Sequence, residues 1–320
     1  MMIGIFLFGG LFLSWAFGRN NFSNVFGSAV GTGILSLKLA AFLTALFLLL
    51  GAYLNSSGTS EMMLQLAHFE NLSGAFSFSL IVAFMMLFLT RWGIPASIAQ
   101  LSVGALVGWN LALGVPVAWE KIGTVAFGWF YSPIIAFIIA FIVFKGARFY
   151  LKKYPVPILY RDIWVRILWI LVGSFTAYSL GANNMPVLTI PFAQILGQNL
   201  TLSILFSLVA GTGCLMASKK VIKMVSHKLF PLSSVESLIV GFSGALTLLL
   251  FSFQNGFLPA LPVSMSAALI GAIVGVSFAK GGYGLKVKTL SGIIASWFWA
   301  PLFSCLLCFA FVIIMNSGSM

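Results

Sequence analysis

Two short polar interruptions, each present twice, govern what this chain can fold into. Gly18-Arg19-Asn20-Asn21 closes a first apolar stretch, and Gly181-Ala182-Asn183-Asn184 closes another near the middle. Pro95-Ala96-Ser97, followed by Gly104 and Gly108, returns as Pro262-Val263-Ser264, followed by Gly271 and Gly275, at a constant offset of 167 residues. Repeated, glycine-punctuated breaks inside apolar sequence are the mark of a duplicated membrane transporter. In that architecture the broken segments of the two halves meet to form a binding site.

The surrounding sequence supports a membrane reading. Of 320 residues, 61% are hydrophobic and only 7% charged, against roughly 25% charged in a soluble domain. About ten stretches are apolar enough for a bilayer core of about 30 Å. They lie near 3–17, 35–54, 74–89, 95–113, 123–145, 163–180, 200–216, 234–252, 260–279 and 290–314. The first lacks a small-residue cleavage pattern and reads as a span, not a signal peptide. A basic linker at 145–162 divides an N-terminal repeat, 1–144, from a C-terminal repeat, 163–320. An odd number of spans per repeat turns the second half over. The expected fold is all-α and polytopic: two inverted five-span repeats with broken or re-entrant half-helices, about 10–12 membrane segments in all.

Charge placement tests this threading. With the linker cytoplasmic and both termini external, only Lys121 of the 17 basic residues falls outside, as the positive-inside rule asks. The segment 55–72, with Glu61 and Glu70 and no Lys or Arg, becomes an external loop, and 217–232 a cytoplasmic one. His68 and His227 then fall in solvated loops. The net charge of +12 describes orientation in a plasma membrane, as in a bacterial inner membrane, and no soluble domain remains to bind nucleic acid. Cys214, Cys305 and Cys308 lie in apolar helical sequence and read as packing residues. A homodimer is allowed by the sequence but not required.

The chemistry is expected at the interruptions. Residues 18–34 are too polar for an ordinary span and too apolar for a solvated loop. They predict a break after the first helix and a half-helix entering the membrane, with Asn20, Asn21 and Asn24 lining the break. Gly27, Gly31 and Gly33 would permit close helix contact, and 183–197 would repeat the break. Pro95 and Pro262 are expected to start helices, since proline lacks the N–H that a first turn leaves unpaired. A helix N-terminus in the membrane offers free amides and a partial positive charge of about +0.5. Serine hydroxyls beside it make a donor site for a small tetrahedral oxyanion. Ser97, Gln100, Ser264 and Ser266 are therefore the candidate oxyanion residues, flanked by Asn20, Asn21, Asn183 and Asn184.

These segments resemble the inorganic phosphate transporter (PiT) family of phosphate and sulfate permeases. That family carries a duplicated Gly-Ala-Asn-Asp followed by Ala-Asn-Ala, with a later Pro-Val-Ser-Thr-Thr-His in each half. The stretch from Gly18 to Gly27 resembles the first motif, Gly181-Ala182-Asn183-Asn184 its repeat, and the Pro95 and Pro262 segments the later pair. The resemblance implies inverted repeats, a central oxyanion site and coupling to Na⁺ or H⁺; no other cofactor is implied. Two departures bear on the coupling. Asn21 and Asn184 stand where the family has Asp, and Ser97-Ile98-Ala99-Gln100 and Ser264-Met265-Ser266-Ala267 replace Ser-Thr-Thr-His. None of the five acidic residues is placed in the membrane interior, and Glu236 fits a Ser233-x-x-Glu236 capping box. Neutral oxygens of Asn21, Asn24 and Asn184 are the candidate sodium ligands, weaker than carboxylates and unable to carry a proton.

The leading expectation is a secondary transporter of phosphate. A sulfate permease is the alternative within the family, and an uncoupled anion channel or facilitator the alternative outside it. An intramembrane enzyme is disfavoured, because no Ser–His pair or metal cluster is available. The threading predicts that a cysteine placed at Tyr150 is labelled by impermeant maleimide only after cells are permeabilised. Labelling in intact cells would overturn the topology and, with it, the inversion.

Overall fold

Apolar sequence punctuated by Ser, Asn and Gly folds into helices whose ends carry the expected capping chemistry. The computed structural model describes residues 2–94, 96–154, 157–197, 199–217, 232–254, 256–282 and 284–317. The N-terminal half contains α1 (Met2–Val25), α2 (Gly27–Gly31), α3 (Leu37–Asn55), α4 (Ser57–Leu66), α5 (Leu72–Trp92), α6 (Ile98–Leu113) and α7 (Trp119–Lys153). The C-terminal half contains α8 (Ile158–Leu196), α9 (Asn199–Leu215), α10 (Ser234–Leu250), α11 (Met265–Ala279) and α12 (Val287–Ser317). No strand occurs among the described residues. Asn71 caps α5 by accepting from the Gly74 N–H at 2.8 Å. The capping box read from the sequence is formed, with the Ser233 N–H donating to Glu236 Oε2 at 2.8 Å. Gly93 and Gly114 end α5 and α6 with φ of 76° and 67°, which a residue bearing a Cβ adopts only with strain.

The duplication is visible in how helices cross. α6 packs along α12 and α11 along α7, while α1 packs on α9 and α3 on α8, so equivalent helices of the two halves exchange partners. Glycine makes each crossing. A Cβ on Gly104 would lie 2.1 Å from the Pro301 carbonyl oxygen, and on its counterpart Gly271 2.0 Å from that of Pro133. Gly18 meets the Ala210 carbonyl just as Gly181 meets that of Leu48; Gly51 meets Tyr178 as Gly213 meets Trp15. α6 and α11 each carry Gly-x-x-x-Gly, at Gly104/Gly108 and Gly271/Gly275, the spacing that lets two backbones touch in lipid. Ile134, Ile142, Leu302 and Leu306 are each more than half exposed, as a face turned to acyl chains requires.

Several expectations need correction. α1 and α8 run unbroken through their Asn pairs, and the first break falls at Phe26, beyond them. Pro186 and Pro191 sit inside α8. Pro262 lies two residues ahead of the Ser264 N-cap, so the proline does not occupy the first turn; Pro95 lies outside the described residues. α6 and α11, at 16 and 15 residues, rise only about 24 Å and 23 Å. They are too short for a full span, as are α9 and α10 at 17 residues each. Among the described residues, five helices are long and apolar enough to cross a membrane: α3, α5, α7, α8 and α12. The 55–72 segment is not a loop but holds α4, whose Gly58, Thr59, Met63 and Leu66 are buried. Most of the 145–162 linker is helical, because α7 continues to Lys153 and α8 begins at Ile158. Gly31 and Gly33 are exposed, and a Cβ at Gly33 would meet nothing within 4 Å. The 217–232 loop, with His227, falls almost wholly outside the described residues.

A methyl group at position 104 or 271 meets a carbonyl that cannot move without shifting a helix. Gly104→Ala and Gly271→Ala should each lower stability by roughly 1–3 kcal/mol. Gly123→Ala, with open space at its Cβ, should be neutral. Thermal unfolding of the three variants in detergent checks the comparison.

Candidate functional site

The polar end of α1 turns inward. Asn20, Asn21, Ser23 and Asn24 are all buried, so each must find partners within the protein. Asn20 donates to Thr90 Oγ1 at 2.7 Å, and Thr90 in turn donates to the Met86 carbonyl at 2.7 Å. Asn21 donates to the Phe17 carbonyl at 3.1 Å. Asn24 donates to Asn21 Oδ1 at 3.2 Å and to Ser266 Oγ at 3.3 Å. This last bond ties the first half's α1 to the second half's α11. The Oδ1 atoms of Asn20 and Asn24 are buried without a hydrogen-bond partner. Leaving such an acceptor unsatisfied costs about 1–3 kcal/mol, so a donor or a cation beside either oxygen would be stabilising.

The equivalent pair in α8 behaves differently. Asn183 donates to the Leu261 carbonyl at 2.9 Å and to the Leu248 carbonyl at 3.3 Å, and its Oδ1 accepts from the Val263 N–H at 2.8 Å. Its amide thus ties the last turn of α10 to the non-helical chain that leads into α11. Trp129 Nε1 donates to the Pro262 carbonyl at 3.1 Å from the other side. Thr59 of α4 donates to the Ala182 carbonyl at 3.0 Å. Asn184 donates to Asn183 Oδ1 at 3.3 Å.

Ser264 is the N-cap of α11, with its Oγ accepting from the Ala267 N–H at 3.1 Å, and Ser97 caps α6 by accepting from the Gln100 N–H at 3.4 Å. The structure thus joins Asn21, Asn24 and Ser266 in one cluster and Asn183 and Asn184 in a second. Among the described residues, no hydrogen bond links Ser97 or Gln100 to either cluster. All of these side chains are 8% exposed or less. A cavity of about 810 Å³ bordered by His68, Glu70 and Trp109, and another of about 530 Å³ bordered by Arg148, Lys152 and Lys280, open elsewhere; no candidate residue lines either. Glu61, Glu70, Glu120 and Asp162 are exposed. Glu236 pairs with Lys280 at 2.8 Å at the start of α10. No group of three or more His, Cys, Asp or Glu able to hold a metal occurs among the described residues. What the arrangement offers is neutral: hydroxyls and amides to donate, and two amide oxygens to accept.

Thr90, Thr59 and Trp129 were not legible in the sequence. Each is an isolated polar atom in an otherwise ordinary helix, and only the fold brings it to an Asn or to an unwound carbonyl.

The same architecture occurs in known proteins. A family model described as "Phosphate transporter family" matches residues 17–259. A protein of Methanocaldococcus jannaschii described as "Putative phosphate permease" is 25% identical over 93% of both chains. One of Haemophilus influenzae with the same description is 25% identical over 90% of both. A solved structure, "The sodium-dependent phosphate transporter", superposes with a TM-score of 0.81 over 99% of both chains at 20% identity, which speaks to the fold.

The asymmetry between the Asn pairs predicts unequal stability effects. Asn183→Ala strands a backbone N–H and loosens two carbonyls, and should destabilise by several times the roughly 1 kcal/mol of one ordinary hydrogen bond. Asn20→Ala removes one bond and one already unpartnered oxygen, and should cost far less. Unfolding midpoints of the purified variants give the comparison; equal losses would contradict it.

Proposed function

This chain belongs to the phosphate transporter family, and we propose that it moves inorganic phosphate across the plasma membrane as a secondary transporter rather than acting as an enzyme. The observation that carries this reading is the Asn24–Ser266 bond, which joins the two halves beside two buried acceptors that lack partners. The N-terminus of α11 supplies backbone amides and a positive dipole end for an oxyanion. The hydroxyls of Ser264 and Ser266 add donors. Phosphate near neutral pH keeps one or two protons as well as charge, which the unpartnered Oδ1 atoms of Asn20 and Asn24 would accept. Sulfate has no proton to donate and would leave those oxygens unsatisfied, which favours phosphate between the two.

The burial of every candidate residue means that substrate enters only when the halves part. Exchanged crossings, α6 on α12 and α11 on α7, suit a rocking of one half against the other about a central site. With both termini external, the basic ends of α7 and α11 face the cytoplasm, in keeping with the positive-inside rule.

Coupling follows from Asn21 and Asn184. A carboxylate about 4 Å from an ion contributes several kcal/mol at the dielectric of a partly buried site, and a neutral amide oxygen recovers only part of that. Sodium dependence should therefore be weak, and the site residues add no titration of their own between about pH 5 and 8.

Uptake of labelled phosphate into proteoliposomes tests the whole reading. Flux should saturate, show counterflow and resist competition by sulfate. Ser266→Ala should weaken apparent affinity by roughly 1–3 kcal/mol, and it spares the α11 cap that Ser264→Ala would also remove. A sodium gradient should change little in the wild type and more in the Asn21→Asp, Asn184→Asp variant. A steep sodium requirement in the wild type would sink the coupling argument. Flux without saturation or counterflow would indicate a facilitator, and unchanged affinity in Ser266→Ala would remove that residue from the site.

A further inference from the structure

The two cavities sit at equivalent places in the two halves. The larger lies between the start of α5, the end of α6 and the last turns of α12; the smaller lies between the start of α10, the end of α11 and the last turns of α7. Their N-caps correspond, Asn71 in one and Ser233 in the other. Their charges do not. The larger cavity holds Glu70 and no lysine or arginine, whereas the smaller gathers Arg148, Lys152 and Lys280 around the single carboxylate of Glu236. Since the fold builds the same hollow twice, the packing of helices does not by itself call for this cluster of cations.

Orientation in the membrane explains basic residues on one side, but not their convergence. Lys38, Arg166 and Lys286 meet that need from exposed positions. Glu236 is held by the Ser233 N–H and by Lys280, which leaves the hollow two positive charges in excess. Its remaining wall is greasy, with Phe144, Leu151, Val235 and Ile239 below the cations. Beside it on α7, Phe149 and Tyr150 are exposed, and exposed aromatic side chains of this kind mark membrane–water boundaries. Further along the same helix, Ile138 and Ile142 are also exposed. A phosphate diester above and an acyl chain below would satisfy both parts of this wall.

We propose that this basic hollow binds the headgroup of an anionic phospholipid, with its phosphate between Arg148 and Lys152 and its chains along the apolar face of α7. Basic pockets between membrane helices take anionic headgroups for this reason: each cation contributes to lipid binding where the local dielectric is low. The lipid would bridge α7 and α10, which pack against the helix carrying Ser264 and Ser266.

The test uses the full-length protein, stripped of lipid in a neutral detergent. Phosphatidylglycerol, phosphatidylcholine and inorganic phosphate are titrated separately, following the unfolding midpoint and, by native mass spectrometry, the lipid retained. Phosphatidylglycerol should raise the midpoint and remain bound, while phosphatidylcholine and inorganic phosphate should do neither. Arg148→Gln with Lys152→Gln, both exposed positions, should weaken the phosphatidylglycerol effect about thirtyfold. Equal stabilisation by phosphatidylcholine, or an unaltered response in the double variant, would overturn the proposal. So would full stabilisation by inorganic phosphate alone, which would make the hollow a site for a soluble anion. Should the variant fail to fold, the comparison of lipids on the wild type still decides.

Discussion

Contact between a glycine and the carbonyl of a crossing helix is the interaction on which this structure depends. In lipid there is no hydrophobic gain from bringing two apolar helices together, so close backbone approach must supply the packing. Gly18, Gly51, Gly104, Gly108 and their counterparts Gly181, Gly213, Gly271 and Gly275 each place a Cα against a carbonyl oxygen of another helix, at a range where weak Cα–H···O contacts add to dispersion. The first two pairs lock α1 on α9 and α3 on α8. The last two lock α6 on α12 and α11 on α7. Every one of these seams is made twice, and the α1–α9 and α3–α8 seams run from one half into the other. That interlock carries the end of α1 to the beginning of α11, where Asn24 reaches Ser266.

Duplication fixed the places of the Asn pairs without fixing their work. Asn183 spends its amide on the chain ahead of α11, with Trp129 supporting the same segment. Asn20, at the matching place in α1, holds Thr90 by its nitrogen and leaves its oxygen unpartnered. One copy therefore reads as scaffold and the other as the side open to a ligand. On the proposed reading, a neutral site of this kind would bind an anion through donors and a dipole end. The carboxylates that would hold a cation strongly are absent from the motif positions.

Much of this was readable in the chain itself. The 167-residue offset of the Pro-x-Ser segments announced α6 and α11 as a related pair, and the Ser233–Glu236 box marked the start of α10. Helix starts read from Pro95 and Pro262 fall three residues ahead of the observed ones at Ile98 and Met265, because a serine, not the proline, starts each helix as its N-cap. The expected breaks at the Asn pairs were absent for a clear reason. A buried asparagine in a helix can bond to neighbouring backbone or to a Thr hydroxyl, so polarity alone does not unwind it. α4 escaped notice because its four buried residues are spread over ten positions of mostly small and polar sequence. Ser97 and Gln100 match the motif by position, yet the residue that meets α1 is Ser266, whose first-half counterpart is Ala99.

The central claim is that phosphate binds where α1 of one half meets the N-terminus of α11 in the other. The most direct measurement is a cryo-EM map of the protein in lipid nanodiscs with saturating phosphate. The account predicts a tetrahedral density within about 3 Å of Ser266 Oγ and the first amides of α11, close to the Oδ1 atoms of Asn20 and Asn24. Density confined to the cavity beside His68 and Glu70, with the Asn24–Ser266 contact unchanged and empty, would contradict it.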